Sequence, residues 1–324
     1  MEQSDVTTIA GDPPEMDDEE TAVAVEVRPT AMPSPQLTAD PCNCGRPGGA
    51  CVCGAAETVA SEDGGGAVAP QYVYAIGRIE PRAPSVGVER ELVQVTGRAE
   101  TAGLTDRQAL HEVLSKRENR YLARQFCFVL MIGGLETYIL GPRDPSDFDL
   151  LIDAVRSEPG PHDMDLVIGV RGPIAPPELC NGLTVPIVGF DQIYSFDRDA
   201  LVKSIPRPSG TSAKQFEPAA TEVLDRILQI ADNAGASDEH RALNYLAVRY
   251  PEIYSRAVDA FGRDFALTGV DVVASPITGL RNLVDVVFTF RNRTSDFIER
   301  YFVRVDVTEE FPFLVTPLTP YVER

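Results

Sequence analysis

The chain has 324 residues, 44% hydrophobic composition and a formal net charge of −20, which is enough apolar material for one large domain or two smaller ones. The charge balance argues against nucleic acid as a partner, because phosphate contacts need clustered Lys and Arg that no segment supplies. The longest nearly apolar run, Phe126 to Leu135, is half of the roughly 20 residues a membrane helix needs, so no membrane span is expected.

Residues 1–70 hold no Phe, Tyr or Trp and thirteen acidic residues against only Arg28 and Arg46, a local net charge of −11. Too little apolar surface is present there to offset chain entropy, which predicts a disordered acidic tail. Inside it lie Cys42-Asn43-Cys44 and Cys51-Val52-Cys53, each pair followed by a glycine, with Arg46 to Ala50 able to turn both pairs toward one point. Structural zinc is the first candidate for Cys42, Cys44, Cys51 and Cys53, since four thiolates satisfy its tetrahedral preference and can order a segment that lacks a core. The spacing is tighter than the usual two to four intervening residues and suits pairs that bridge two chains. A metal-free Cys/Gly linker, an iron–sulfur cluster and a peptide substrate fused to its processor are the competing readings. Met1 to Asp5 lacks the basic start and apolar stretch of a secretory signal, so a reducing cytoplasm is expected, with the cysteines as thiols or metal ligands.

A flexible linker, Ser61 to Ala67, closes the tail. Tyr72, Tyr74 and Ile76 alternate with Val73 and Ala75 as a strand that Pro81 and Pro84 stop, before a short helix around Val88 to Val95. Thr105-Asp106-Arg107-Gln108 is a capping-box pattern and predicts a helix over about 106–125. Phe126 to Ile132, Gly133-Gly134 and Leu135 to Leu140 read as a hairpin with a positive-φ turn, the rival reading being a helix that continues to Met131. Ser146 is the expected cap of a helix through Asp147 to Val155, and Leu166 to Val170 follows as a buried strand, together suggesting an α/β layer. Arg171 to Pro186 is proline-rich and predicts an extended irregular loop of the kind that carries function. Helices are expected over Ala219 to Asn233, Asp238 to Arg249 and Pro251 to Phe261. The period then switches to two, with Val284, Val286, Phe288 and Phe290 facing Tyr301, Val303, Val305 and Val307 across an antiparallel hairpin.

No catalytic signature emerges from these elements. Ser209-Gly210-Thr211-Ser212-Ala213 superficially matches the surroundings of a subtilisin-type nucleophile, but His111, His162 and His240 fall in none of the segments such proteases use, and the stretch reads as a linker. Cys180 with His240 is a nucleophile pairing that needs geometric support. Asp144, Asp147, Asp149 and Asp153, with His162, Asp163 and Asp165, could form a cation or acid–base site, though helix N-terminal acids complement the macrodipole without any such role. Cys127 reads as core packing and Cys180 as loop filler.

Seven blocks resemble the C-terminal domain of unknown function of the PatA/PatG family of cyanobactin maturation proteases: Tyr72 to Arg82, Thr96 to Glu100, Glu118 to Arg124, Arg171 to Gly182, Phe190 to Phe196, His240 to Leu246 and Phe302 to Phe313. Together they span essentially residues 71–324. The resemblance implies a role beside ribosomally synthesised, post-translationally modified peptides. The family's subtilisin-like domain does not occur in this sequence, so its protease and macrocyclase activities are not carried over. The expectation is an α+β protein: a disordered tail over 1–70, then a domain over 71–324 with a mixed α/β layer, a helical segment and a C-terminal antiparallel hairpin. Its expected role is that of a non-catalytic accessory or scaffold protein that binds precursor peptide or maturation enzymes, with a homodimer as a further expectation. The alternative is an enzyme of the same pathway using the Arg171–Asn181 loop. In either case Arg171, Glu178, Cys180 and Asn181 are the candidate binding residues, because a proline-stiffened loop can hold polar groups against a groove.

Overall fold

Alternating side chains give the strand β1 (Gln71–Arg82) two faces, and both are buried, with Val73, Ala75 and Ile79 on one and Tyr74 and Ile76 on the other. A strand of this kind sits between two packed layers, and the rest of the fold follows from what covers each face. The computed structural model describes residues 70–98, 103–230, 232–277 and 279–322, which belong to one compact unit, Gly65–Arg324. The acidic tail and the cysteines at 42, 44, 51 and 53 lie outside the described residues.

Five strands close into a barrel in the order β1-β2-β3-β5-β4. The expected hairpin is present as β2 (Cys127–Ile132) and β3 (Leu135–Pro142), joined by Gly133 and Gly134 at φ +58° and +83°. Positive φ at both central residues matches the twist of a two-residue hairpin, which is why a glycine pair stands there. The strand–helix–strand unit is also present, as β3, α4 (Phe148–Ala154) and β4 (Asp163–Ile174). The parallel partner of β3 is, however, β5 (Pro186–Asp197), and β4 pairs antiparallel with both β5 and β1, so the expected layer closes on itself. One face of the barrel strands, with Phe128, Leu130, Leu140, Val167 and Phe190, packs with α1 (Val86–Arg98), α2 (Asp106–Ser115), α3 (Arg120–Ala123) and α4.

Several element boundaries depart from the sequence reading for identifiable reasons. β1 continues through Pro81, because in that stretch only β2 pairs with it and a missing N–H costs nothing on an open side. The Thr105–Gln108 capping box forms, yet α2 ends at Ser115: Lys116 is extended, and the Asn119 amide folds back to donate to the Val113 carbonyl at 2.9 Å. Asp144 rather than Ser146 caps the turn before α4, accepting from the Ser146 N–H at 2.8 Å. β4 runs to Ile174, so only 175–185 is irregular. The stretch before Lys214 is a helix start, with Ser212 and Gln215 forming a capping box for α6 (Ala213–Leu228).

The second half packs α5 (Arg198–Ser204), α6, α7 (Asp238–Arg249) and α8 (Glu252–Gly262) on one face of a four-stranded antiparallel meander, β6-β7-β8-β9. The expected hairpin is its centre, β7 (Leu283–Asn292) against β8 (Ile298–Asp306), in the register Val286↔Val303 and Val284↔Val305. β6 (Phe265–Ala274) and β9 (Phe313–Pro320) flank it.

Helix α7 joins the two halves. Ala242, Leu243, Leu246 and Ala247 enter the core of the meander, while Tyr245 and Val248 pack on Tyr74, Ile76, Leu166 and Ile168 of the barrel. Among these apolar side chains, Asn233 and Asn244 exchange amide hydrogen bonds at 2.8 and 3.1 Å, and the Asn244 amide also donates to the Tyr74 carbonyl at 2.8 Å. Gly235, at φ +67°, accepts the Tyr74 N–H at its carbonyl, and a side chain there would collide with β1. Asn244→Ala leaves the Asn233 amide and the Tyr74 carbonyl buried without partners, so it is expected to cost about 3 kcal/mol in urea unfolding. Asn233→Ala combined with Asn244→Ala should cost clearly less than the sum of the single changes.

Candidate functional site

A cleft of about 720 Å³ opens where the first turn of α7 meets β1, the end of β4 and the turns that follow β6 and β8. Ser237 starts the helix by accepting the His240 N–H, and Asp238 and Glu239 in the first turn suit the positive end of its dipole. One turn along, Arg241 is 3% exposed. A guanidinium that deep must be neutralised or hydrogen-bonded, and the β8–β9 turn supplies the acceptors. Arg241 donates to the Val307 carbonyl at 2.7 Å, to the Glu309 carbonyl and to the Glu310 carbonyl at 3.4 Å, pairs with Asp238 at 3.3 Å and lies 5.2 Å from the Tyr72 ring centre. Burial pushes the Asp238 carboxyl up, against the pull of Arg241. Arg171 stands at the mouth, exposed, its guanidinium donating to Gln71 at 3.2 Å.

A second charged group borders the same turn. In β5 the register slips between the pairs Ile168↔Gln192 and Gly169↔Phe190, leaving Asp191 as the extra residue of a bulge. Gly169 permits this, since a Cβ there would meet the Gly189 carbonyl and the Phe190 Cα. Arg143, anchored by its N–H to the Phe190 carbonyl, reaches Asp191 at 2.6 Å and Glu310 at 3.2 Å through one nitrogen. Burial, and next the adjoining Asp191, pushes Glu310 up to about 7.

The four residues expected to act together are divided by the fold. Arg171 belongs to the α7 cleft beside Gln71, whereas the Asn181 carbonyl accepts from Arg82, at the other end of β1. Asn181, at φ +48°, and Gly182 form a turn in which Glu178 is exposed. Cys180 is bonded to Cys127 with Cα atoms 6.0 Å apart, so it is neither a loop filler nor a free thiol, and Cys127 is more than core packing. The expectation of unpaired cysteines fails for these two, because the 175–185 loop folds back on β2 and buries Cys180 against Val129 and Ile139. A bonded sulfur is no nucleophile, and the pairing with His240 falls with it.

The candidate acid cluster is likewise spent on structure. Asp149 pairs with Arg120, and Asp165 accepts from the Ile79 N–H at 2.8 Å and the Ser195 hydroxyl at 2.7 Å, with burial raising its carboxyl. His162 contacts Asp199 at 2.9 Å and Arg198 at 3.1 Å. Among the described residues no group of three or more His, Cys, Asp or Glu could hold a metal, and no helix is long and apolar enough to cross a membrane. Sequence reasoning missed Tyr72, Arg143, Asp191, Arg241 and Glu310 as members of a site. The available signal was that four of them lie in separate blocks of the family resemblance, which the fold brings to one turn.

Residues 210–321 match the family model described as PatG C-terminal, a region running from just before α6 to the end of β9. The fold is similar to a solved structure titled "PatG Domain of Unknown Function", with a TM-score of 0.62 and 20% identity over 77% of this chain and 98% of that one. The resemblance read from the sequence is borne out by the family model over residues 210–321, and the solved structure shares the fold. No curated protein matches the chain.

The Cys127–Cys180 bond closes a sequence separation of 53 residues. The chain-entropy relation gives about 4 kcal/mol for a loop of that size. Adding reductant should lower the urea midpoint of the wild-type chain accordingly, whereas Cys127→Ser with Cys180→Ser should start lower and not respond to reductant.

Proposed function

We propose that the chain is a non-catalytic accessory protein in the maturation of ribosomally synthesised, post-translationally modified peptides, and that it holds a precursor peptide, or the enzyme that processes one, in the cleft at the start of α7. The single observation that carries this reading is the composition of that cleft. Its deepest cation, Arg241, is committed to backbone carbonyls, which makes the cleft a rigid frame and leaves Arg171 as the exposed cation at its mouth. An exposed guanidinium beside a preformed groove suits recognition of a carboxylate or carbonyl on an extended chain. The match of residues 210–321 to the PatG C-terminal family supports the pathway. The alternative of an enzyme built on the Arg171–Asn181 loop loses support from the bonded Cys180 and from the separation of Arg171 from Asn181.

Calorimetric titration of the full chain with synthetic precursor peptides, and separately with maturation enzymes, tests the reading. Binding that Arg171→Ala weakens by about tenfold without lowering the melting temperature is expected, a loss on the scale of one charge-assisted hydrogen bond. Heat-silent mixing with every precursor and enzyme would sink the proposal.

In the same reading, Cys42, Cys44, Cys51 and Cys53 hold one structural zinc, either within a chain or between two chains of a homodimer. Metal analysis and sedimentation of the wild type against the quadruple Cys→Ser variant decide this. Zinc lost in the variant is expected, and equal zinc content in the two proteins would leave the four thiols as a linker.

A further inference from the structure

We propose that Glu310 and Asp191 share one proton and thereby form a pH-sensitive latch that ties the β8–β9 turn to the barrel. The geometry begins with an unbalanced count. Glu310 and Asp191 come from different elements and share a single guanidinium nitrogen of Arg143, at 3.2 and 2.6 Å. Glu310 Oε1 is buried and has no hydrogen-bond donor, although the Glu310 side chain is 15% exposed as a whole. A buried carboxylate oxygen without a donor, next to a second carboxylate, is costly; a proton on Glu310 turns that contact into a carboxylic acid donating to Asp191.

Every charged neighbour of the turn fits this assignment. Arg143 is half exposed and offers only part of its charge to the pair. Arg241, on the α7 side, spends its guanidinium on carbonyls and Asp238, not on the Glu310 carboxyl. Glu309, the next residue, adds negative charge, and Asp306 at the foot of the turn is paired with Arg281 and accepts the Thr308 N–H at 2.9 Å. The second cation near Glu310 is Arg241, whose charge acts from the α7 side but whose hydrogen bond goes to the Glu310 carbonyl and not to its carboxyl. The folded pKa, about 7, lies above the ordinary value of 4.5, so the closed turn holds the proton more tightly than an open one. Closure is therefore most favoured in acid and weakens as the pH rises from about 4.5 toward 7.

The latch governs the wall of the cleft proposed above as a binding site, because Val307, Thr308 and Glu309 line it. Its test needs no ligand, and so can fail or succeed apart from that reading. Hydrogen exchange of the 307–311 amides on the full chain, expressed as protection relative to the unstructured rate, should fall by about tenfold between pH 6 and pH 8 in the wild type. Glu310→Gln keeps a donor toward Asp191 and cannot ionise, so its protection should stay high and flat. Asp191→Asn removes the opposing charge, and the carboxyl carbon resonance of Glu310 should then titrate at least one pH unit lower than in the wild type. Protection that does not change with pH in the wild type, or a fall in Glu310→Gln equal to that of the wild type, overturns the latch. So does a Glu310 resonance that titrates below pH 5 in the wild-type chain.

Discussion

Burial of Arg241 is the constraint on which the arrangement of this protein depends. A guanidinium with 3% exposure cannot stay charged without acceptors, and α7 alone offers only Asp238. The remaining acceptors are main-chain carbonyls of Val307, Glu309 and Glu310, so the helix fixes where the β8–β9 turn must lie. Three residues further along, Asn244 does the corresponding work toward the barrel, reaching the Tyr74 carbonyl in β1. Positions 241 and 244 are one helical turn apart and share a side of the helix, so a single polar stripe on α7 joins barrel, helix and meander.

That stripe explains why the barrel and the meander, each with its own apolar cluster, form one compact unit rather than beads on a chain. The apolar contacts on either side of α7 are non-directional and would tolerate sliding. The Asn233–Asn244 exchange and the Arg241 carbonyl contacts do not, because each donor left behind by a slip would be buried unpaired. The cleft is then a consequence of the joint. Where the helix, β1 and two turns are held at fixed distances by polar contacts, side chains cannot close the gap between them, and Arg171 is left at its edge.

Much of this was legible in the sequence wherever local chemistry decides the outcome. The glycine pair at 133–134 specifies its hairpin, Thr105 and Gln108 specify a helix start, and the alternation through Val284 to Phe290 specifies one buried face. Long-range choices were not legible. Nothing local tells β3 to take β5 as its parallel neighbour, and the end of α2 at Ser115 depends on Asn119 reaching back to Val113. The pairing of Cys127 with Cys180 depends on where a loop folds, which spacing does not fix. For the site, Arg171 was singled out for a loop-based reason, and the fold places it on β4 at the edge of the α7 cleft. Its neighbours there, Tyr72, Arg241 and Glu309, are distant in sequence and meet only because α7 crosses the end of β1.

The β8–β9 turn is held in two chemically different ways. From the α7 side it is gripped through its backbone by an arginine that stays charged at any pH a folded protein meets, so that contact is insensitive to solution conditions. From the barrel side it is gripped through one carboxyl whose neighbours are another carboxyl and a half-exposed arginine. A segment fixed on one side and conditionally held on the other pivots instead of unfolding, because loss of the weaker grip leaves the Arg241 carbonyl contacts intact. The residues nearest the permanent grip, Val307 to Glu309, are also those that line the cleft. Any movement of the turn is thereby confined to tilting one wall, while Tyr72, Arg171 and the first turn of α7 keep their places.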